Sequence, residues 1–330
     1  MSLPIIGMVS SYPNLTQSDW LWKQTPHGFG VWGQMQLQAQ APQPDWLLLY
    51  QYDIPALVPA SPLPVSQRLR QVLGDRRWTR PSPPAWDPQT VFRNVPPERR
   101  IFLRREPPLP EVLPRLSQSY DRVAAHCGYV SGPDDYAPHP DYMPAIWYVD
   151  QSFPALDSLP IPPKVRPCSW ITSGINRSAN HRDRLQFLQH LQERLPDSVD
   201  YYGRNLPDWV RSGGAVQNKW HCMAPYYYNL AIENYRDNSW YVSEKLWDAL
   251  LSWCLPLYYG GSAADALIPP ESFIRIPSLN DQGIAYIQEV IRSPDLWQER
   301  QEAIAEARQI ILHKLNLMAW LSDFVVARSG

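Results

Sequence analysis

Short apolar runs bounded by turn residues fill the first half of the chain. Residues 4–9, Trp46–Tyr50 (WLLLY), Arg100–Leu103 (RIFL) and residues 120–125 (YDRVAA) each predict a strand. Residues 65–73 (VSQRLRQVL) predict a helix between them. Strands alternating with helical segments imply a parallel α/β sheet. The second half is more regular. Residues 168–172 (CSWIT), 199–202 (VDYY, stopped by Gly203), Tyr226–Ile232 (YYYNLAI) and Leu255–Tyr259 (LPLYY) predict strands. Leu185, Leu188, Leu191 and Leu195 recur at helical spacing and predict a helix over 178–195. Residues 243–253 (SEKLWDALLSW) predict a second helix, and 294–326 a mostly helical tail.

Proline sharpens the division. Of 36 prolines, 28 lie at or before Pro167. Because proline removes a donor and breaks helix interiors, the first half cannot be mostly long helices. The run LPIPPKVRP over 159–167 holds four of them and marks the expected boundary between domains 1–160 and 161–330.

Charge and cysteine exclude several classes. Thirty Lys+Arg against 32 Asp+Glu give a net charge of −2, which argues against a general nucleic-acid binder. The four cysteines form no CxxC pair, so buried free thiols are expected and not a zinc cage. No stretch reaches the roughly 18 apolar residues of a membrane span.

Chemistry concentrates between Tyr226 and Gly261. A strand leads to Glu233–Asn234, then a polar loop, then Ser243–Glu244–Lys245 at a helix start. A helix N-terminus carries free N–H groups and partial positive charge, a natural seat for phosphate. Lysine there runs against the dipole, a cost that an anionic ligand would offset. On spacing alone, Glu244 and Lys245 could equally be a solvated helix face.

This segment resembles the signature region of the α-1,3-fucosyltransferases, glycosyltransferase family 10. The family's Y-K-F-x-L-x-F-E-N-S, Y-V-T-E-K-L, P-V-Y-x-G and P-x-S-F-I blocks are read here at Tyr226–Asn234, Tyr241–Leu246, Leu255–Gly260 and Pro270–Ile274. Upstream, SWITSGINRSANHRDRLQFL and VDYYGR (199–204) are similar to the family's strand, Arg-bearing helix and V-D-x-Y-G-R segment. Ser243 stands where the family has Thr, and Ile232 where it has an aromatic residue. The likeness spans residues 168–276 and is faint in the first half.

The resemblance implies a GT-B-like α/β fold, two Rossmann-like domains facing a central cleft, and inverting transfer of fucose from GDP-fucose to an oligosaccharide. Arg182 and Lys245 would then bind the diphosphate, and Glu244 the ribose hydroxyls. Asn234 and Tyr241 would line the nucleotide-sugar pocket, Tyr202, Gly203 and Arg204 would border the guanosine, and Glu233 belongs to the same motif without a defined role. Breaking the sugar–phosphate bond leaves negative charge that a metal or fixed cations must stabilise. The chain contains no Asp-x-Asp triplet, so fixed cations and no essential metal or other cofactor are expected. A general base must take the acceptor proton. Glu106, at the end of the RIFL run, is the candidate by its place in the resemblance, with Asp134, Asp135 and Asp141 as weaker rivals. The Trp-, Gly- and amide-rich segment 19–38 suggests acceptor contacts at His27 and Trp32, with Asp135 alongside, or simply hydrophobic anchors for a loop-rich domain. The partners expected are a nucleotide sugar and an oligosaccharide, without nucleic acid. The expected location is cytoplasmic, as for a soluble bacterial member, with peripheral membrane association and oligomeric state left open. A transferase using another GDP-sugar, or a silent glycan-binding protein of the same fold, are the alternatives.

Overall fold

The computed structural model describes residues 2–12, 20–55 and 87–329. The helix expected over 65–73 lies outside them. Among the described residues, twelve strands form two sheets. The first sheet contains β1 (Ile5–Ser10), β2 (Val31–Trp32), β3 (Met35–Leu37), β4 (Trp46–Tyr50), β5 (Arg100–Leu103), β6 (Tyr129–Gly132) and β7 (His139–Pro140), in the order β2-β3-β1-β4-β5-β6-β7. Every neighbouring pair is parallel except β2–β3. The second contains β8 (Arg166–Ser173), β9 (Val199–Arg204), β10 (Tyr226–Ile232), β11 (Leu255–Tyr259) and β12 (Ile274–Arg275), all parallel, in the order β12-β11-β10-β8-β9.

Both sheets therefore carry the doubly wound 2-1-3-4-5 order, the first with a strand added at each edge. In such sheets the crossovers leave toward opposite faces on either side of a switch point, and a crevice opens there at the carboxyl ends of the strands. The switch points lie between β1 and β4 in the first sheet and between β8 and β10 in the second. They face one cleft, which is the two-domain arrangement expected.

The apolar patterning follows from burial on both faces. All five residues of β4 are buried. Leu47 and Leu49 join the core under the Leu113–Ala124 helix, while Trp46, Leu48 and Tyr50 point to the opposite face. That opposite face is covered by the last helix, Leu317–Ser329, through Leu317, Met318, Leu321, Phe324 and Val325. The C-terminus thus crosses back onto the first sheet.

Three expectations need correction. Residues 120–124 are helical, because Leu116, Tyr120 and Val123 recur every three to four positions and bury one face; the strand follows at β6. The second core also begins before the proline run, since Ala145, Trp147, Val149, Phe153 and Leu156 pack with it. Prolines mark where the backbone is extended, whereas packing decides which core a segment joins. The other strands of the second half agree with expectation to within a few residues. Gly203 does not end β9 but lies within it, at φ +153°, where a Cβ would sit 1.6 Å from the Thr172 carbonyl oxygen. The predicted helices run Ala179–Arg194 and Glu244–Leu251, with Ser178 and Ser243 as N-caps. Cys127, Cys168 and Cys254 are buried free thiols, and Cys222 is half-buried.

Candidate active site

A cleft of about 470 Å³ opens between the two sheets. Tyr12, Arg105, Glu106 and Tyr148 line it from the first half, and Arg204, Lys219, Asn234, Tyr241, Glu244 and Lys245 from the second. Half of these residues lie at the carboxyl end of a strand: Tyr12 follows β1, Arg105 and Glu106 follow β5, Arg204 ends β9 and Asn234 follows β10.

Local geometry sets each side chain. Gln51, just past β4, accepts from the amides of Arg105 (2.8 Å) and Glu106 (3.1 Å), which fixes the turn carrying Glu106. The Tyr12 hydroxyl donates to Glu106 Oε1. Across the cleft, Glu233 is buried at the end of β10 and accepts from the Ser243 amide (2.8 Å), the Ser243 hydroxyl (2.6 Å) and Lys245 Nζ (3.2 Å). Glu233 thereby pins the helix start and orients the lysine. It faces a separate 800 Å³ cavity behind the loop after β10, not the cleft; Asn234 lines both.

Glu244 lies between the halves. Its Oε2 is 2.6 Å from Arg105 Nη2. Burial alone would raise its pKa, but Lys245, Arg105 and Lys219 hold it well below the usual carboxylate range. Lys245 is likewise desolvated, yet Glu233 and Glu244 keep its pKa above the ordinary value. Both side chains are therefore charged near neutrality.

Of the residues expected from sequence, Glu106, Arg204, Asn234, Tyr241, Glu244 and Lys245 meet in this cleft. Arg182 does not. It is exposed and donates only to the Asn176 carbonyl, at 3.3 Å. Two residues on, Arg184 is 4% exposed and donates to Asn234 Oδ1 and to the Ser173 carbonyl, at the β8–β10 switch point. Two positions turn a helix by about 200°, so the two arginines face opposite ways. Desolvation with no opposing carboxylate pushes the Arg184 pKa down to about 10. The signal available in the sequence was phase, since Arg184 falls on the same face as Leu188 and Leu191.

Tyr202 and Gly203 also stand outside the lining. The Tyr202 hydroxyl pairs with that of Tyr226 (2.8 Å), and Gly203 serves backbone geometry. Among the acceptor candidates, His27 is exposed, Trp32 packs edge-on against Phe153, and Asp135 accepts from Trp240 Nε1 at 2.7 Å; none lines the cleft. Asp134 is buried, with Tyr120 as its donor at 2.7 Å, and Asp141 is away from the lining too. Sequence reading missed Tyr12, Arg105, Tyr148, Arg184 and Lys219. Among the described residues no group of three or more His, Cys, Asp or Glu is placed to hold a metal ion, and no helix is long and apolar enough to cross a membrane.

The motifs of the second half place its likeness among the glycosyltransferases. Residues 161–300 match the family model described as glycosyltransferase family 10 (fucosyltransferase), C-terminal part, so this portion is a family-10-like domain. A curated relative, alpha-(1,3)-fucosyltransferase C of Drosophila melanogaster, is 28% identical over 142 residues, covering 41% of this chain and 30% of the relative. The match thus spans under a third of that relative's length. Similar solved structures include an alpha1,3-fucosyltransferase with GDP (14% identity, TM-score 0.44, 96% of this chain and 92% of that one). Another is T4 phage BGT with UDP-glucose (12% identity, TM-score 0.47, 99% of each chain).

Proposed function

We propose that the chain is an inverting, metal-independent glycosyltransferase that moves fucose from GDP-fucose to a hydroxyl of an oligosaccharide. The observation that carries this reading is the single cleft in which a carboxylate of the first half, Glu106, shares the lining with Asn234, Glu244 and Lys245 of the family-10-like half.

The chemistry follows from the residues. Lys245 binds the diphosphate as a compact charge, held by Glu233 and Ser243. Arg184, and not Arg182, supports the site from behind its lining. It steadies Asn234 and adds positive charge beside Lys245, to which its electrostatic influence extends. Glu244 accepts from ribose hydroxyls, and Tyr241 and Arg204 border the donor. Glu106 takes the proton of the acceptor hydroxyl as that oxygen attacks the anomeric carbon, and the nucleoside diphosphate leaves. Charge gathering on the departing phosphate meets fixed cations, which need not reorganise. The acceptor lies against the first half.

The test is to incubate the purified chain with GDP-fucose, EDTA and a panel of β-galactosyl-N-acetylglucosamine and related acceptors, and to follow GDP release. Acceptor-dependent release that survives EDTA is expected. Absence of both release and GDP-fucose binding would sink the reading.

A further inference from the structure

Lys219 reaches the cleft from a part of the chain that none of the motifs contains. It opens the short 3-10 turn Lys219–Cys222, whose start is fixed by Asn218 accepting from the Trp220 amide at 2.9 Å. Its ammonium is gripped from behind. Nζ lies 2.5 Å from Asp248 Oδ2 and 5.3 Å from the centre of the Tyr148 ring. The other oxygen of Asp248 accepts from the Tyr148 amide at 2.7 Å. Asp248 stands one turn beyond Glu244 on the same helix. That helix thus offers its first turn to the cleft and, four residues later, a carboxylate that aims a second lysine toward it.

The pair is asymmetric. The Asp248 side chain has no exposed surface, whereas Lys219 keeps 22% and lines the cleft. A buried carboxylate is costly unless paired, and burial pushes the Asp248 pKa up against the influence of Lys219. Here one end stays open toward the cavity.

Donor counting points the same way. Three cations act on Glu244: Lys245, Arg105 and Lys219. Arg105 donates to Tyr148 and Glu244, and Lys245 spends two of its three donors on Glu233 and Ser243. An ammonium has three N–H donors. Among the described residues Lys219 Nζ uses one, to Asp248. Two donors of a rigidly held cation remain for whatever enters.

We propose that Lys219 is a further phosphate-binding residue of this cleft, contacting the diphosphate of a nucleoside diphosphate, and that Asp248 is the positioning residue that aims it. This rests on the donor-site reading above and adds to it a cation from outside the family-like motifs.

The test compares the affinity of GDP with that of guanosine, and of UDP with uridine, by ligand-observed NMR, which reads weak binding. In K219M, diphosphate affinity falls about tenfold or more while nucleoside affinity stays within about twofold. K219R recovers most of the loss. D248N lowers diphosphate affinity selectively in the same way, in protein whose melting transition shows it folded. An unchanged diphosphate-to-nucleoside ratio in K219M, or an equal loss for both ligands that K219R does not repair, overturns the assignment of Lys219 alone. If the unaltered chain binds neither GDP nor UDP, the donor-site reading falls and this inference with it.

Discussion

Arg105, just past β5, and Glu244, at the start of the Glu244–Leu251 helix, form an ion pair at 2.6 Å across the cleft. Their side chains are 15% and 20% exposed, so water screens the pair only partly. Arg105 also donates to the Tyr148 hydroxyl. Tyr148 in turn holds Asp248, on the Glu244 helix, through its amide. The two halves are thus joined at the edge of the site itself. A donor ribose that uses Glu244 must share that carboxylate with Arg105 or displace it.

The pair should show as coupling. R105M and E244Q each destabilise the fold, and a double-mutant cycle in denaturant gives a coupling free energy of about 1–3 kcal/mol. Additive effects would mean that the contact contributes nothing to stability.

Its pH dependence has a defined sign. Cationic neighbours, outweighing burial, hold the Glu244 pKa below the unfolded value of about 4.3. The stabilisation is therefore fully present above that pH and is lost as pH falls toward the folded pKa. Unfolding midpoints between about pH 3 and 7 should drop at the acid end in the unaltered chain and drop less in E244Q. Equal acid slopes would exclude Glu244 as a contributor.

Glu106→Gln removes the proposed base without touching the cations. Transfer should fall by at least about 100-fold while GDP affinity changes little. Y12F removes the hydroxyl that bonds Glu106, so a smaller loss of transfer, again without loss of GDP affinity, is expected. Full activity in E106Q would assign the base elsewhere.

Helix phase separates the two arginines. R184M should weaken GDP binding about tenfold or more, since Asn234, which lines the cleft, loses its charge-assisted partner, whereas R182M should stay within about twofold. Calorimetric titration of GDP into both variants checks this.

Gly203→Ala tests the backbone of β9. The added Cβ would meet the Thr172 oxygen at 1.6 Å, at a positive φ that β-carbons resist. A loss of more than about 2 kcal/mol is expected from denaturant unfolding, because β8 and β9 must separate to make room.

Much of the second half was legible along the chain. β10 and β11 were read at their ends, and the start of the Glu244–Leu251 helix at its capping serine, because apolar runs, turn residues and caps act within a few positions. The first half was harder to read. YDRVAA looks β-prone in isolation, and only a helix extending back to Leu113 gives Leu116, Tyr120 and Val123 a common buried face.

The sequence by itself determined the α/β class, four strands of the second half along the chain, and a helix start bearing Glu244 and Lys245 beside Glu233–Asn234. These depend on local spacing. The tertiary structure alone decided that Arg184 and not Arg182 reaches Asn234, that Arg105 closes onto Glu244, and that a buried Asp248 aims Lys219 into the cleft. Each of these is a contact between segments about 30 to 140 residues apart, or a choice of helix face. Such contacts are set by how two doubly wound sheets bring their switch points together, which no local pattern encodes.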